Sequence, residues 1–218
     1  MATAKETILW RVRRATRDVP EGERPEDVPV ERGYRKEGED ARDEVVTRFA
    51  EHVAEYEATV HRVEEADLTA RIREILEKRN LKKLVVPPQL PEAWIPEGVE
   101  ILRDAVQPRL TNEELDGADG VLTGCALGIA QTGTIVLDAG PAQGRRALTL
   151  LPDYHLCVVR EGQVVDLVPE AFARLEETVK AERRAITFIS GPSATSDIEL
   201  NRVEGVHGPR ALEVLIIG

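Results

Sequence analysis

The feature that most limits the folds open to this chain is a series of short, almost wholly apolar runs after Asn80, each set off by turn residues. They are Leu84-Val85-Val86 (closed by Pro87-Pro88), Val99-Glu100-Ile101-Leu102, Gly120-Val121-Leu122-Thr123, Thr134-Ile135-Val136-Leu137, Leu156-Cys157-Val158-Val159, Val164-Val165, Ile186-Thr187-Phe188-Ile189 and Leu212-Glu213-Val214-Leu215-Ile216-Ile217. A strand with one face in water alternates apolar and polar residues, so a strand without that alternation must be covered on both faces. Helical signals are interleaved with these runs. Thr111 and Glu114 have capping-box spacing and start a short helix, and Pro169 opens another that runs to about Arg184. The combination predicts a three-layer α/β/α sandwich.

Ahead of the sheet, Val46, Phe49, Val53, Tyr56, Val60 and Val63 recur at steps of three and four, which predicts one long helix over 40–63. A second helix is expected from about Leu68 to Arg79, capped by Asp67, with Leu68, Ile72, Ile75 and Leu76 facing inward. The first 36 residues differ in texture: a basic helix, Ile8-Leu9-Trp10-Arg11-Val12-Arg13-Arg14, then a loop broken by Pro20, Pro25 and Pro29. Residues 1–36 carry 9 basic and 7 acidic side chains, against 7 and 13 in residues 37–80. The organisation read from this is an N-terminal arm, 1–36, and an α/β domain, 37–218, with helices in 40–79 and the sheet in 80–218. Trp10 with Arg11, Arg13 and Arg14 is either a docking patch for a partner or the inner side of a helix packed on its own domain.

Composition removes several functions. A net charge of −11 argues against nucleic acid, whose sequence-independent affinity comes from Lys and Arg displacing phosphate counterions. No apolar run reaches the ~20 residues of a membrane span, and Met1 to Glu6 lacks an apolar signal region, so the expected location is the cytoplasm. Two cysteines, Cys125 and Cys157, are too few for an all-cysteine iron–sulfur site, and both read as buried small hydrophobes. His52 and His61 are nine residues apart on the expected helix, a spacing that does not make a two-histidine metal site. His155 reads as structural, and no metal site is expected on this chain.

Three turns carry more punctuation than packing requires. Gln131-Thr132-Gly133-Thr134 opens directly into a strand, where either a ligand crevice or a tight glycine turn accounts for it. Gly191-Pro192-Ser193-Ala194-Thr195-Ser196-Asp197-Ile198-Glu199 follows a strand, and its small residues can form an anion-binding nest. Asp197 and Glu199 favour instead a hydroxyl, an amine or a cation, and Ser193 or Thr195 capping a helical turn is the simpler alternative. Gly205-Val206-His207-Gly208-Pro209-Arg210 frames one histidine able to move protons near neutral pH and one arginine able to hold a carboxylate or phosphate. The resulting candidate set is His207, Asp197 and Glu199 for catalysis. For ligand binding it is Gln131, Thr132, Gly133, Thr134, Gly191, Ser193, Thr195, Gly208 and Arg210.

Those three turns, together with Leu150-Leu151-Pro152-Asp153-Tyr154-His155, the Ile8–Arg14 helix and Val30-Glu31-Arg32-Gly33-Tyr34, resemble the lactate utilisation (LUD) domain and, within it, the protein C family. The likeness covers nearly the whole chain. It implies a Rossmann-like fold similar to the sugar-isomerase and CoA-transferase type. It also implies membership of an L-lactate oxidation system in which two partner proteins carry the iron–sulfur clusters and this chain carries no cofactor. Many members of the family have an acidic residue where this chain has Gln131, which takes a possible base from that turn. Two other readings follow from the same residues: a stand-alone enzyme or binding protein for a phosphorylated sugar or CoA-type molecule, and a scaffold for the cluster-bearing partners.

Overall fold

The computed structural model describes residues 3–20, 22–195 and 203–218. The chain divides into two compact units, residues 1–34 and 35–218. In the first unit, α1 (Ala4–Ala15) begins at a full capping box: Thr3 Oγ1 accepts from the Glu6 backbone and Glu6 accepts from the Thr3 backbone at 2.7 Å. None of its residues is buried. The Arg14 guanidinium lies 5.4 Å from the Trp10 ring centroid.

The second unit opens with α2 (Arg42–Glu55), β1 (Thr59–Val63) and α3 (Leu68–Lys78). There follow β2 (Lys83–Val86), β3 (Glu100–Arg103), α4 (Asn112–Asp116), β4 (Gly120–Thr123), β5 (Leu127–Ile129) and β6 (Thr134–Leu137). Then come β7 (Tyr154–Arg160), β8 (Val164–Val165), α5 (Val168–Glu177), β9 (Thr187–Ile189), β10 (Ala194–Thr195), β11 (Val203–Glu204) and β12 (Ala211–Ile217). Six strands make the main sheet in the order β1-β12-β7-β4-β2-β3, and every neighbouring pair is parallel.

The apolar strands are apolar because each face of this sheet has a cover. Leu84, Val86, Leu122, Leu215 and Ile217 pack with Leu68, Ile72, Ile75 and Leu76 of α3. On the other face, Val214, Ile216 and Val159 pack with Val46, Phe49 and Val53 of α2, and Val85 and Val121 with Leu115 of α4. A smaller sheet, β8-β5-β6-β9, lies on this second side and is itself covered by Ala171 and Leu175 of α5. The result is a three-layer α/β/α sandwich of Rossmann-like construction. Among the described residues no helix is long and apolar enough to cross a membrane.

Three local expectations need correction. The helix expected over 40–63 ends at Glu55; Glu57 turns the chain through a left-handed conformation (φ 67°) into β1. Tyr56, read as part of the buried stripe, is 49% exposed. Asp67 does not cap α3 with its side chain, because it belongs to a short helical turn, Glu65–Asp67, that runs straight into α3. The helix opened by Pro169 gives way after Glu177 to a wider π-type turn, Thr178–Glu182, which Arg183 closes in the left-handed region.

Candidate functional site

The segment after β9 and the loop before β12 are sewn together. Ser193 N donates to Pro209 O at 2.8 Å, Gly205 N to Ser193 O at 2.9 Å, and His207 N to Ser193 Oγ at 2.9 Å. Gly191 makes the approach possible: at φ 81° it passes the backbone of Tyr56, and a Cβ there would fall 2.6 Å from Tyr56 Cβ and 2.7 Å from its carbonyl oxygen. Between the two segments, at the carboxyl end of β9 and the amino ends of β7 and β12, lies a cavity of about 210 Å3. Gly191, Ser193, His207 and Gly208 line it, joined by Arg146, Thr149 and His155.

Arg146 and Thr149 were not singled out in the sequence, His155 was read as structural, and Arg146 sets the electrostatics. Arg146 donates through Nη1 to Thr149 O at 2.6 Å and to Thr149 Oγ1 at 3.0 Å, and through Nη2 to His207 O at 3.1 Å. All three acceptors are neutral, and no carboxylate pairs with it among the described residues. Arg146 keeps part of its surface in solvent, but burial of the rest lowers its pKa from the ordinary arginine value. A partly covered guanidinium without a counter-ion is a site for an anion. His155 is buried, with Nε2 2.7 Å from Thr123 Oγ1. Behind it, Cys157 Sγ lies 3.8 Å from Thr123 Oγ1 and donates to Gly124 O at 3.7 Å. Ser193 Oγ accepts from the His207 backbone, so its own proton remains free for a ligand.

The other expected site residues sit elsewhere. Gln131 Oε1 accepts from Val168 N at 3.1 Å, holding the first turn of α5. Thr132 and Thr134 share a hydrogen bond at 2.7 Å, and Thr134 Oγ1 meets Ser190 Oγ at 2.8 Å, which braces the start of the cavity wall from behind. Gly133 packs on α2. Arg210 pairs with Asp153 on the surface and does not line the cavity. Thr195 is described through its backbone alone, paired with Val203, and Asp197 and Glu199 lie outside the described residues. The two other histidines hold structure: His52 Nδ1 donates to Ala130 O at 2.7 Å. His61 Nε2 meets Glu213 Oε1 at 2.7 Å, while its Nδ1 accepts from Arg71 at 2.9 Å. Among the described residues no group of three or more His, Cys, Asp or Glu side chains is placed to hold a metal ion.

A wider cleft of about 960 Å3 runs between β1 and α3. Both of its arginines are paired: Arg62 with Asp43 and Glu161, and Arg71 with Glu74. The smaller cavity, with its unpaired cation, is the better candidate.

Comparison with known proteins gives the family. Residues 46–217 match the LUD domain. The chain is 44% identical to the lactate utilization protein C of Deinococcus radiodurans over 217 residues, 100% of this chain and 97% of that one. It is 35% identical to the lactate utilization protein C of Halalkalibacterium halodurans over 124 residues, 55% of this chain and 53% of that one. The crystal structure of a DUF162 family protein from Deinococcus radiodurans is similar with a TM-score of 0.72 and 41% identity, covering 83% of this chain and 100% of that one. The chain belongs to the LUD domain family, and its sandwich is the fold of that family's solved relative.

Proposed function

We propose that this protein works in lactate utilisation, as the component of an L-lactate oxidising system that carries no cluster of its own. The observation that carries this reading is the end-to-end match to a lactate utilization protein C. The cavity at Ser193 and His207 supports a role for the chain in holding the substrate. Arg146 holds the carboxylate of lactate or pyruvate, replacing the counter-ion it lacks, and such a charge-assisted contact is worth about 1.5–3 kcal/mol. Ser193 orients the ligand through its hydroxyl, and His207 takes the proton that leaves the lactate hydroxyl as it becomes a carbonyl. Oxidation to pyruvate also breaks the Cα–H bond, whose hydrogen would leave to water as a second proton, and releases two electrons, which iron–sulfur clusters on two partner proteins would accept one at a time. The basic helix α1 docks those partners. It presents Ile8, Trp10 and Val12, at 60%, 57% and 52% exposure, beside Arg11, Arg13 and Arg14.

The test is complementation of a strain lacking its own lactate utilization protein C, grown on L-lactate. Arg146→Gln and His207→Ala are expected to abolish growth while the purified variants melt with the parent. Undiminished growth with both substitutions overturns the assignment of this cavity.

A further inference from the structure

We propose a second binding site, at the carboxyl ends of β2 and β3, for a small organic phosphate, with its anionic head between Arg109 and Arg145 and its body against Pro87, Pro88 and Val106. The chain leaves β2 to form β3 on one side and returns to form β4 on the other. The connections after the neighbouring strands β2 and β4 therefore leave in opposite directions, which opens the carboxyl ends of this part of the sheet. A cavity of about 330 Å3 lies beyond β2, on its β3 side, within the size range of small-molecule sites. Its walls are the connections after β2 and β3 and the 138–145 loop. It shares no lining residue with the Ser193–His207 cavity.

The charges in this crevice are unevenly matched. Asp104 is buried, at 4% exposure, and is fully engaged: it accepts from Leu110 N at 2.9 Å and from Arg145 Nε and Nη2 at 3.0 and 3.3 Å. Arg145 Nη2 also donates to Leu110 O at 2.6 Å. The guanidinium is therefore fixed in orientation by a buried carboxylate, and its Nη1 has no protein acceptor among the described residues. Arg109, on the same wall, has no hydrogen bond or ion pair among the described residues. The nearby Asp138 does not supply the missing charge, because it is tied to Arg184 at 3.1 Å and to Gln143 Nε2 at 2.8 Å. One oriented guanidinium edge and one free guanidinium, on separate residues, can each engage different oxygens of one phosphate head. Pro87, Pro88, Ala105 and Val106 offer flat or apolar contact, which favours a body with a ring face over a polyhydroxylated one. The loop on the far wall adds a sign of a constrained site: Ala139 and Ala142 both adopt the left-handed conformation, at φ 55° and 59°, which non-glycine residues avoid unless their surroundings impose it.

Isothermal titration of the full chain with adenosine 5′-monophosphate, glucose 6-phosphate and inorganic phosphate tests this. The nucleotide is expected to bind most tightly, by about tenfold over either other probe. Arg109→Ala is expected to weaken it by about tenfold, the scale of one lost charge-assisted contact, and to leave L-lactate binding unchanged. Arg109 is exposed, so its replacement leaves the fold intact. The proposal is overturned if no probe binds, if Arg109→Ala binds the nucleotide as tightly as the parent, or if inorganic phosphate binds as well as the nucleotide.

Discussion

Replacing Gly133 by alanine separates packing from ligand binding at the Gln131–Thr134 turn. Gly133 ends the Ala130–Thr132 turn at φ 56°, ψ 37°, and a Cβ there would lie 2.5 Å from the carbonyl carbon of His52, 2.6 Å from its oxygen and 2.7 Å from Val53 N. These are backbone atoms inside α2, so they cannot swing aside as a flexible side chain would. His52 Nδ1, bonded to Ala130 O at 2.7 Å, clamps turn and helix together from the other side. A left-handed alanine costs about 1 kcal/mol and a forced shift of packed backbone about 2 kcal/mol more. In a unit of this size a loss of about 3 kcal/mol lowers Tm by about 6–12 °C. The assay is thermal unfolding followed by far-UV circular dichroism, with Gly162→Ala as control, since a Cβ at Gly162 meets nothing within 4 Å. If Gly133→Ala melts within about 1 °C of the parent while ligand binding is lost, the packing argument fails and the glycine serves a ligand.

Two further outcomes follow from buried groups. Glu213 accepts from His61 at 2.7 Å, Arg79 at 2.9 Å and Tyr154 at 2.9 Å; burial pushes its pKa up, but these partners outweigh burial and hold it below the ordinary 4.5. Its folded value is depressed, so its stabilisation is full above about pH 4.5 and is lost as pH falls below that. Glu213→Gln should cost about 3 kcal/mol at pH 7 and flatten the acid limb of urea midpoints measured against pH; an unchanged acid limb refutes this. Cys125 and Cys157, at 5% and 0% exposure, should react with a thiol reagent such as DTNB no faster than the protein unfolds, and both should react in strong denaturant. Rapid labelling of the native chain contradicts their burial.

The sheet was legible in the sequence because uninterrupted apolar runs have one physical meaning. The error at 40–63 came from a pattern with two. Val60 and Val63 extend the helical stripe of α2, yet Thr59-Val60-His61-Arg62-Val63 also suits an edge strand, and nothing local marks Glu57 as the residue that turns left-handed. The strand β5 was hidden by its central glycine, a strand breaker in isolation. In the fold the Phe49 ring lies where a side chain on Gly128 would go, with Cε2 2.8 Å from the Cβ position. At the site, Gly191, Ser193 and His207 were visible because glycine and proline frame them. Arg146 was not, since it stands beside Arg145 and the two look alike in sequence. Tertiary contacts alone give Arg145 a buried carboxylate and leave Arg146 without one.

The position of β12 bears on how the chain is made. Among the described residues it is the latest strand in sequence, yet it lies inside the main sheet, with β1, the earliest, on one side and β7 on the other. On the ribosome, β1 therefore waits unpaired in the main sheet while nearly all of the remaining domain emerges, and no growing intermediate can complete its sheet by adding strands in order. Such non-local closure slows folding and leaves strand edges open meanwhile. Until β12 slots into place, the edges of β1 and β7 stay open to such aggregation.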